Sequence, residues 1–159
     1  MQNPQITLKP STPSDLEQLF QFQLNKEANH LAAFTSKDPT DKAAYFEKFT
    51  KLLKDPTVNQ HTIWVDETIV GSIAKFILEG DTEITYWIDS NFWRQGIATT
   101  ALTNFLTIET TRPIFGRAAF DNLGSQKVLE KCGFIKIGTD KGFANARQME
   151  IVEFIYKLV

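Results

Sequence analysis

A polar loop, residues 89–96, joins a strand pattern to a helix pattern and limits most strongly what this chain can fold into. Before the loop, the residues alternate in character, with apolar or aromatic side chains at Ile84, Tyr86 and Ile88, which is the period of two typical of a strand. After the loop, apolar residues recur at helical spacing, at Ile97, Ala101, Leu102, Phe105 and Ile108. The sequence therefore predicts a strand, a turn and a helix in succession.

The start of this helix has the features of an anion site. Its first N–H groups have no partner within the helix and lie at the positive end of the helix dipole, an arrangement that proteins often use to bind phosphate. Gly96 and Ala98 are small, so a phosphate can come close to the backbone. The loop has neither the Gly-Lys-Ser/Thr ending of a Walker loop nor the three glycines of the dinucleotide motif. On this motif alone, phosphate binding stays open.

Length and composition limit the remaining classes. The 159 residues, 42% of them hydrophobic, suit one domain over residues 1–159. A net charge of −2 argues against a broad basic surface, so we expect no nucleic-acid partner. Cys132 is the only cysteine, which rules out an internal disulfide, and the two histidines leave too few ligands for a zinc site, so we expect no metal. The first residues lack a leader pattern and no apolar stretch has the length of a membrane span, so we expect a cytoplasmic protein with no membrane partner.

The rest of the chain alternates between short strand and helix patterns. The predicted strands are residues 5–9, 61–65, 69–78, 83–88, 114–120, 134–138 and 149–158. Predicted helices start near Thr12, near Asp38 and after Gly96, and a fourth covers residues 123–132. The apolar segment 29–35 is either a packed loop or a wall of a substrate pocket. The predicted order is β-α-α-β-β-β-α-β-α-β-β.

Two motifs at a fixed separation carry a resemblance to a known family. The first is Glu83-Ile-Thr-Tyr-Trp-Ile-Asp-Ser-Asn-Phe-Trp-Arg-Gln-Gly-Ile-Ala-Thr-Thr-Ala-Leu102, and the second is Asn122-Leu-Gly-Ser-Gln-Lys-Val-Leu-Glu-Lys-Cys-Gly-Phe134. Together with the order of elements, they resemble the GNAT superfamily (Gcn5-related N-acetyltransferases), and within it the ribosomal-protein-alanine acetyltransferases. The resemblance implies an α/β (α+β) fold: a mixed, mostly antiparallel seven-stranded sheet with a central splayed pair of parallel strands.

The resemblance also implies that acetyl-CoA is the cosubstrate. Its pantetheine arm would pair with backbone groups near Trp87 and Ile88, as an added strand would. Asn122 would contact the arm near the thioester, and Lys127 is either a contact to the adenosine phosphates or a solvated lysine. The pyrophosphate would bind the N–H groups at the start of the central helix, those of Gln95, Gly96, Ile97, Ala98 and Thr99.

Acetyl transfer to an amine needs a neutral nucleophile, a polarised carbonyl and a proton for the leaving thiolate. Glu83 matches a glutamate common in this branch and is the candidate base; the alternative is an edge-strand glutamate exposed to solvent. Leu129 stands where many family members place a tyrosine that acts as proton donor. Ser125 matches the serine that the branch places near the sulfur and is the candidate donor here; the alternative is a first-turn hydroxyl that bonds the backbone.

Two further positions bear on cofactor contacts and mechanism. Trp93 occupies a slot where the wider family has Gln or Arg, which leaves the backbone contacts to pyrophosphate intact. Cys132, beside Gly133, is expected to be a small core residue and not a nucleophile. Without an acetylated nucleophile, transfer would be direct, in a ternary complex.

The acceptor is the part of the function that the sequence describes least. The resemblance suggests a protein N-terminal amine or a small amine, bound near His30, Phe34 and Tyr86. The pocket is expected to involve residues 30–35 and the loop 142–147. The alternative function is a CoA-binding or partner-binding module that has lost catalysis, and the chain is expected to be a monomer or a homodimer.

Overall fold

The computed structural model describes residues 5–159 and contains one seven-stranded sheet. Residues 1–4, on which the expected absence of a leader partly rests, lie outside this described part. The strands are β1 (Ile6–Pro10), β2 (Asn59–Val65), β3 (Thr68–Leu78), β4 (Asp81–Ile88), β5 (Ile114–Ala119), β6 (Ile135–Ala144) and β7 (Met149–Leu158). The helices are α1 (Leu16–Phe22), α2 (Lys26–Ala32), α3 (Lys42–Lys54), α4 (Ile97–Ile108) and α5 (Leu123–Lys131).

The sheet has the order β1-β2-β3-β4-β5-β7-β6, and only the β4–β5 pair is parallel. This parallel pairing is short, because Glu83 lies opposite Phe115 and Ile84 opposite Gly116, and no later residues of the two strands are paired. Beyond Ile84, β4 therefore keeps free backbone groups on the side that faces β5. The predicted mixed sheet with a central splayed parallel pair is confirmed.

One face of the sheet packs against α4 and α5 to form the main core. Ile84 and Ile88 of β4 are buried there with Phe105 of α4 and Leu129 of α5. Each such side chain contributes about 1.5–3 kcal/mol when it is fully buried. Neighbouring residues of a strand point to opposite faces, so Glu83, beside Ile84, projects from the other face of the sheet.

The α5 helix approaches β5 closely at a glycine. A Cβ atom added to Gly116 would lie 2.7 Å from Leu129 Cδ2, closer than carbon atoms approach in real proteins. Gly116 therefore lets α5 pack tightly on β5.

Of the two interpretations of segment 29–35, the packed loop is wrong for its first part, which is helical. The α2 helix ends at Ala32, and Asn25 caps its start by accepting a hydrogen bond from the N–H of Ala28 at 2.9 Å. The observed order is thus β-α-α-α-β-β-β-α-β-α-β-β. None of the described helices is long and apolar enough to cross a membrane.

Two element boundaries also differ from the prediction. The α3 helix begins at Lys42, not near Asp38, because Asp41 accepts the capping bond from Ala44 N–H, whereas Asp38 bonds to Thr40. The β6 strand continues to Ala144, so residue 142 lies in a strand paired with β7 and not in the predicted loop.

Candidate active site

A cleft of about 1110 Å³ runs past the splayed end of β4. It is lined by residues of β4, β5, α4 and α5 and, at its other end, by residues of α1, α2 and α3. Clefts of this size hold cofactors and their substrates. The cleft therefore brings the two sequence motifs to one place.

The start of α4 forms one wall of the cleft. Gly96 has a φ of 76°, in the left-handed region that glycine tolerates, and it precedes the first helical residue, Ile97. The first N–H that bonds within the helix is that of Thr100, to the carbonyl of Gly96, and no side chain caps the helix. The free amides before it, together with the positive end of the helix dipole, suit an anion. Of the predicted pyrophosphate contacts, Gly96, Ile97, Ala98 and Thr99 line the cleft, whereas Gln95 does not.

Trp87 and Ile88 lie on β4 beyond the last residue that pairs with β5. The Ile88 carbonyl already accepts a hydrogen bond from the indole Nε1 of Trp93 at 2.9 Å. A ligand that pairs with this part of β4 must therefore use the other free groups or displace Trp93. The indole Nε1 of Trp87, which lines the cleft, is buried without a hydrogen-bond partner among residues 5–159.

Asn122 and Ser125 form the start of α5 on the opposite side of the splay. The Asn122 side chain caps the helix by accepting from the N–H of Ser125 at 3.3 Å, and its Nδ2 donates to the carbonyl of Leu31 in α2. Both its polar atoms thus hold α5 and α2 in place. The expected contact of Asn122 with a cofactor arm requires these bonds to be shared or rearranged.

The hydroxyl of Ser125 bonds to a side chain and not to its own helix. Its Oγ lies 2.8 Å from the phenol oxygen of Tyr86, which reaches across from β4. The alternative of a first-turn hydroxyl that bonds the backbone is therefore wrong. Burial raises the pKa of Tyr86 to about 12, so the phenol stays protonated at neutral pH.

Glu83 is buried, and it lies on a strand that is paired on both sides. Only 3% of its surface is exposed, and β4 lies between β3 and β5. The alternative of a solvent-exposed edge glutamate is therefore wrong. Burial raises the pKa of the Glu83 carboxyl, and Arg117, whose Nε donates to Oε1 at 2.8 Å, opposes this rise.

Arg117 is one of the site residues that the sequence analysis did not predict. It lies on β5 and lines the cleft beside Glu83. A charged residue inside an otherwise apolar strand signals a buried partner, and this signal was present in Ile114-Phe-Gly-Arg-Ala-Ala119. Its partner could not be predicted, because the contact with Glu83 joins residues 34 positions apart that meet only through the pairing of β4 with β5.

The acceptor end of the cleft is lined partly by residues predicted for it. Phe34 lines the cleft, but His30 does not, and neither do residues 142–147. His30 falls on the side of α2 that faces away from the cleft, because the other side carries the five lining residues Glu27, Ala28, Asn29, Leu31 and Ala32. Aromatic side chains missed by the sequence reasoning complete this end, namely Phe22, Tyr45, Phe49 and Phe76.

Arg147 was expected to shape the acceptor pocket, but it lies outside the cleft lining and joins three segments of the chain. Its guanidinium makes a two-pronged ion pair with Asp121, at 2.8 and 2.9 Å, and its Nε donates to the carbonyl of His30. These contacts join the β6–β7 turn to α2 and to the end of β5. Arg147 therefore supports the cleft from outside.

Three further residues singled out in the sequence lie, in turn, at the rim of the cleft, in the core and outside the cleft lining. Lys127 is exposed at the rim of the cleft. Leu129, at the position of the family's tyrosine, is a core residue that is 1% exposed. Cys132 is partly buried, with its Sγ 3.6 Å from the carbonyl of Thr99, and it does not line the cleft. Within residues 5–159, no group of three or more His, Cys, Asp or Glu side chains is placed to hold a metal ion.

Comparisons with known proteins agree with this architecture. A family model described as an acetyltransferase (GNAT) domain matches residues 5–135. A search of curated proteins found no match.

Several solved structures are similar over nearly their whole length. A probable acetyltransferase has 23% identity and a TM-score of 0.81, with 97% of this chain and 92% of that chain covered. The ribosomal-protein-S5-alanine acetyltransferase of Vibrio fischeri has 17% identity and a TM-score of 0.77, with 100% and 95% covered. The spermidine N-acetyltransferase of Vibrio cholerae, in complex with CoA and spermine, has 19% identity and a TM-score of 0.78, with 96% and 95% covered.

Proposed function

The chain belongs to the GNAT family of acetyltransferases, and from this premise we propose that it transfers an acetyl group from acetyl-CoA to a primary amine, directly, in a ternary complex. The predicted family is thus confirmed. The observation that carries the proposal is the separation of β4 from β5 after Ile84, which opens a cleft between an uncapped helix start and a buried glutamate.

The residues of the cleft fit acetyl-CoA. The amides of Gly96, Ile97, Ala98 and Thr99 suit the pyrophosphate, and Lys127 lies at the rim, where adenosine phosphates would emerge. The free backbone beyond Ile84, near Trp87 and Ile88, suits the amide-bearing pantetheine arm. Acetyl-CoA would supply the activated acyl group, and solved structures of the family support this choice, since one holds CoA with spermine.

Glu83 is the proposed base. It removes a proton from the acceptor's ammonium, either directly or through water, and leaves the nitrogen lone pair free. A buried carboxylate with a raised pKa is a stronger base than an exposed one, which suits this role.

Ser125 is the proposed hydrogen-bond donor at the leaving sulfur. The Tyr86 phenol oxygen lies 2.8 Å from Ser125 Oγ, where either hydroxyl can donate, and 3.3 Å from the Ser125 carbonyl. When the phenol donates to Oγ, the serine proton is free for a group in the cleft. Water assists this step, because a hydroxyl at a cleft wall exchanges protons readily with solvent. Cys132 takes no part, since it lies outside the cleft lining, and direct transfer needs no acetylated residue.

The acceptor is proposed to be a primary amine that lies against aromatic side chains. The aromatic side chains of Phe34, Tyr45, Phe49 and Phe76 in the cleft lining suit both apolar groups and cations. A protein N-terminus and a small amine both satisfy this description. Labelled acetyl-CoA with cell extract, followed by mass spectrometry of proteins and small molecules, would separate the two.

The test of the function combines binding with transfer. Calorimetry with CoA at pH 7.5 should show binding, and a panel of amines should include at least one acceptor with intersecting initial-velocity lines. Absence of CoA binding at millimolar concentration would refute the proposal. CoA binding without transfer to any amine would favour the binding module that has lost catalysis.

A further inference from the structure

Arg117 joins three carboxylates on the face of the sheet that carries Glu83. Its Nε donates to Glu83 Oε1 at 2.8 Å, and its Nη1 donates to Glu153 Oε1 at 2.8 Å and to Asp140 Oδ2 at 3.1 Å. The side chains of Glu83 and Glu153 are only 4% and 15% exposed, whereas that of Asp140 is 58% exposed. One guanidinium therefore donates hydrogen bonds to two mostly buried carboxylates and to one exposed carboxylate.

The bond to Arg117 occupies one oxygen of Glu83 and leaves the other free. Oε2 has no hydrogen-bond partner among residues 5–159. It is also not among the fully buried polar atoms of that region that lack a partner, so part of its surface is exposed. Glu83 lines the cleft, so Oε2, which no described residue bonds, is the oxygen left for a group bound there. A carboxylate that is held in place through one oxygen can accept a proton on its other oxygen from one defined direction.

The charges around Glu83 have opposing effects. Asp81 on β4 and Glu153 on β7 are like charges that favour its protonation, as burial does, whereas Arg117 favours its ionised form. Asp140 on β6 reaches only the guanidinium, and Lys48 of α3 lies farther along the same cleft. Because arginine remains charged at any working pH, Arg117 is the constant charge of this cluster.

We infer that Arg117 is a positioning residue of the transfer: it holds Glu83 ionised and oriented, with Oε2 free to receive the acceptor's proton. The inference rests on the proposed function, because it assigns Arg117 to the same reaction. In the step concerned, an N–H bond of the ammonium breaks, the proton goes to Oε2 and the electron pair stays on nitrogen.

Two substitutions should shift the titration of Glu83 in opposite directions. Arg117→Gln removes the opposing cation and should raise the pKa of Glu83, whereas Glu153→Gln removes a like charge and should lower it. Asp140→Asn is the control, since Asp140 is exposed and does not touch Glu83. A structural role of Arg117 alone would change stability without producing this pair of opposite shifts.

The experiment measures the same shift by two methods. Carbon-13 NMR of glutamate-labelled protein follows the Glu83 carboxyl in wild type and variants, with Glu83→Gln used for assignment. The pH profile of kcat/KM is measured in parallel with two amine probes, a peptide with a free N-terminal alanine and spermidine. We expect the rising limb to move to higher pH in Arg117→Gln and to lower pH in Glu153→Gln, by the amount seen in the NMR titration.

The possible outcomes separate this inference from the proposed function. If transfer occurs and the NMR titration of Glu83 shifts, but the rising limb of the kcat/KM profile stays in place, the inference is overturned and the proposed function is not. Transfer to neither probe, nor to any amine of the wider panel, would overturn the proposed function and the inference with it. If Arg117→Gln does not fold, Glu153→Gln carries the test, with Arg117→Lys, which keeps the positive charge, as its control. An unshifted limb in Glu153→Gln would overturn the inference.

Discussion

The phenol oxygen of Tyr86 lies 2.8 Å from Ser125 Oγ and joins β4 to α5 across the gap between the two parallel strands. The family's usual tyrosine position is the core residue Leu129, so no phenol approaches the cleft from there. Tyr86 instead brings a phenol to the serine from the opposite wall. This pairing gives the Ser125 hydroxyl a hydrogen-bond partner on the opposite wall of the cleft.

Tyr86→Phe should therefore weaken catalysis through Ser125. Loss of one hydrogen bond costs about 0.5–1.5 kcal/mol, which corresponds to a fall in kcat of roughly 2–10-fold. The pKa of Tyr86, about 12, keeps the phenol protonated between pH 6 and 9, so this fall should be the same across that range.

The control for this prediction is a double-mutant cycle. Ser125→Ala should lower kcat about 10-fold, because water replaces a hydroxyl only in part. If the two hydroxyls act as a unit, the double variant should be no slower than Ser125→Ala. Fully additive losses would mean that Tyr86 acts independently of Ser125.

Glu83→Gln should remove the base without removing the side chain's volume. We expect kcat to fall by about 100-fold or more, most strongly below pH 8, where the acceptor amine is protonated. In the wild type, kcat/KM should rise with pH through the pKa of Glu83, which burial raises above the usual range of a glutamate. This limb should be absent from the variant's pH profile, and an unchanged rate would remove Glu83 from the mechanism.

Local patterns were sufficient to predict β4 and α4, two of the elements that line the cleft. The strand before the loop and the helix after Gly96 each show a clear period, and β4 and α4 lie where these patterns end and begin. The α2 helix was missed because its seven residues give little periodicity, and a bond from Asn122 in a distant segment holds it. The extension of β6 was missed because most of this edge strand is exposed on both faces, which removes the alternation that reveals a strand.

The residue types of the site were easier to predict than their partners. Glu83 and Ser125 follow from motifs, but the contacts with Arg117 and Tyr86 join residues 34 and 39 positions apart. Such contacts depend on which strands are neighbours and on the register of β4 with β5, where only two residue pairs define the alignment. A single sequence does not encode that register in any local pattern.

Asn122→Ala should destabilise the protein by removing the cap of α5. The loss of an N-cap costs about 1 kcal/mol, within a range of 0.5–2 kcal/mol. Asn122→Ser is the matched variant, since serine can still cap the helix while losing the contact with Leu31. Urea denaturation should show the alanine variant to be less stable than the serine variant, and equal midpoints would show that the cap contributes nothing.

The last prediction concerns the start of α4. Gly96→Glu should weaken CoA binding by about 30-fold or more, because charges 4–8 Å apart near a protein surface repel by roughly 2–4 kcal/mol. An added Cβ would meet no atom within 4 Å, so a steric clash at Cβ is not the cause.

Gly96→Gln is the matched control for this prediction. It imposes the same strain at a φ of 76°, with a side chain of similar size and no charge. Calorimetry should show a much smaller loss of affinity in the glutamine variant, and the difference between the two variants should shrink as salt is raised. Equal losses in both variants would place the phosphates away from the start of α4.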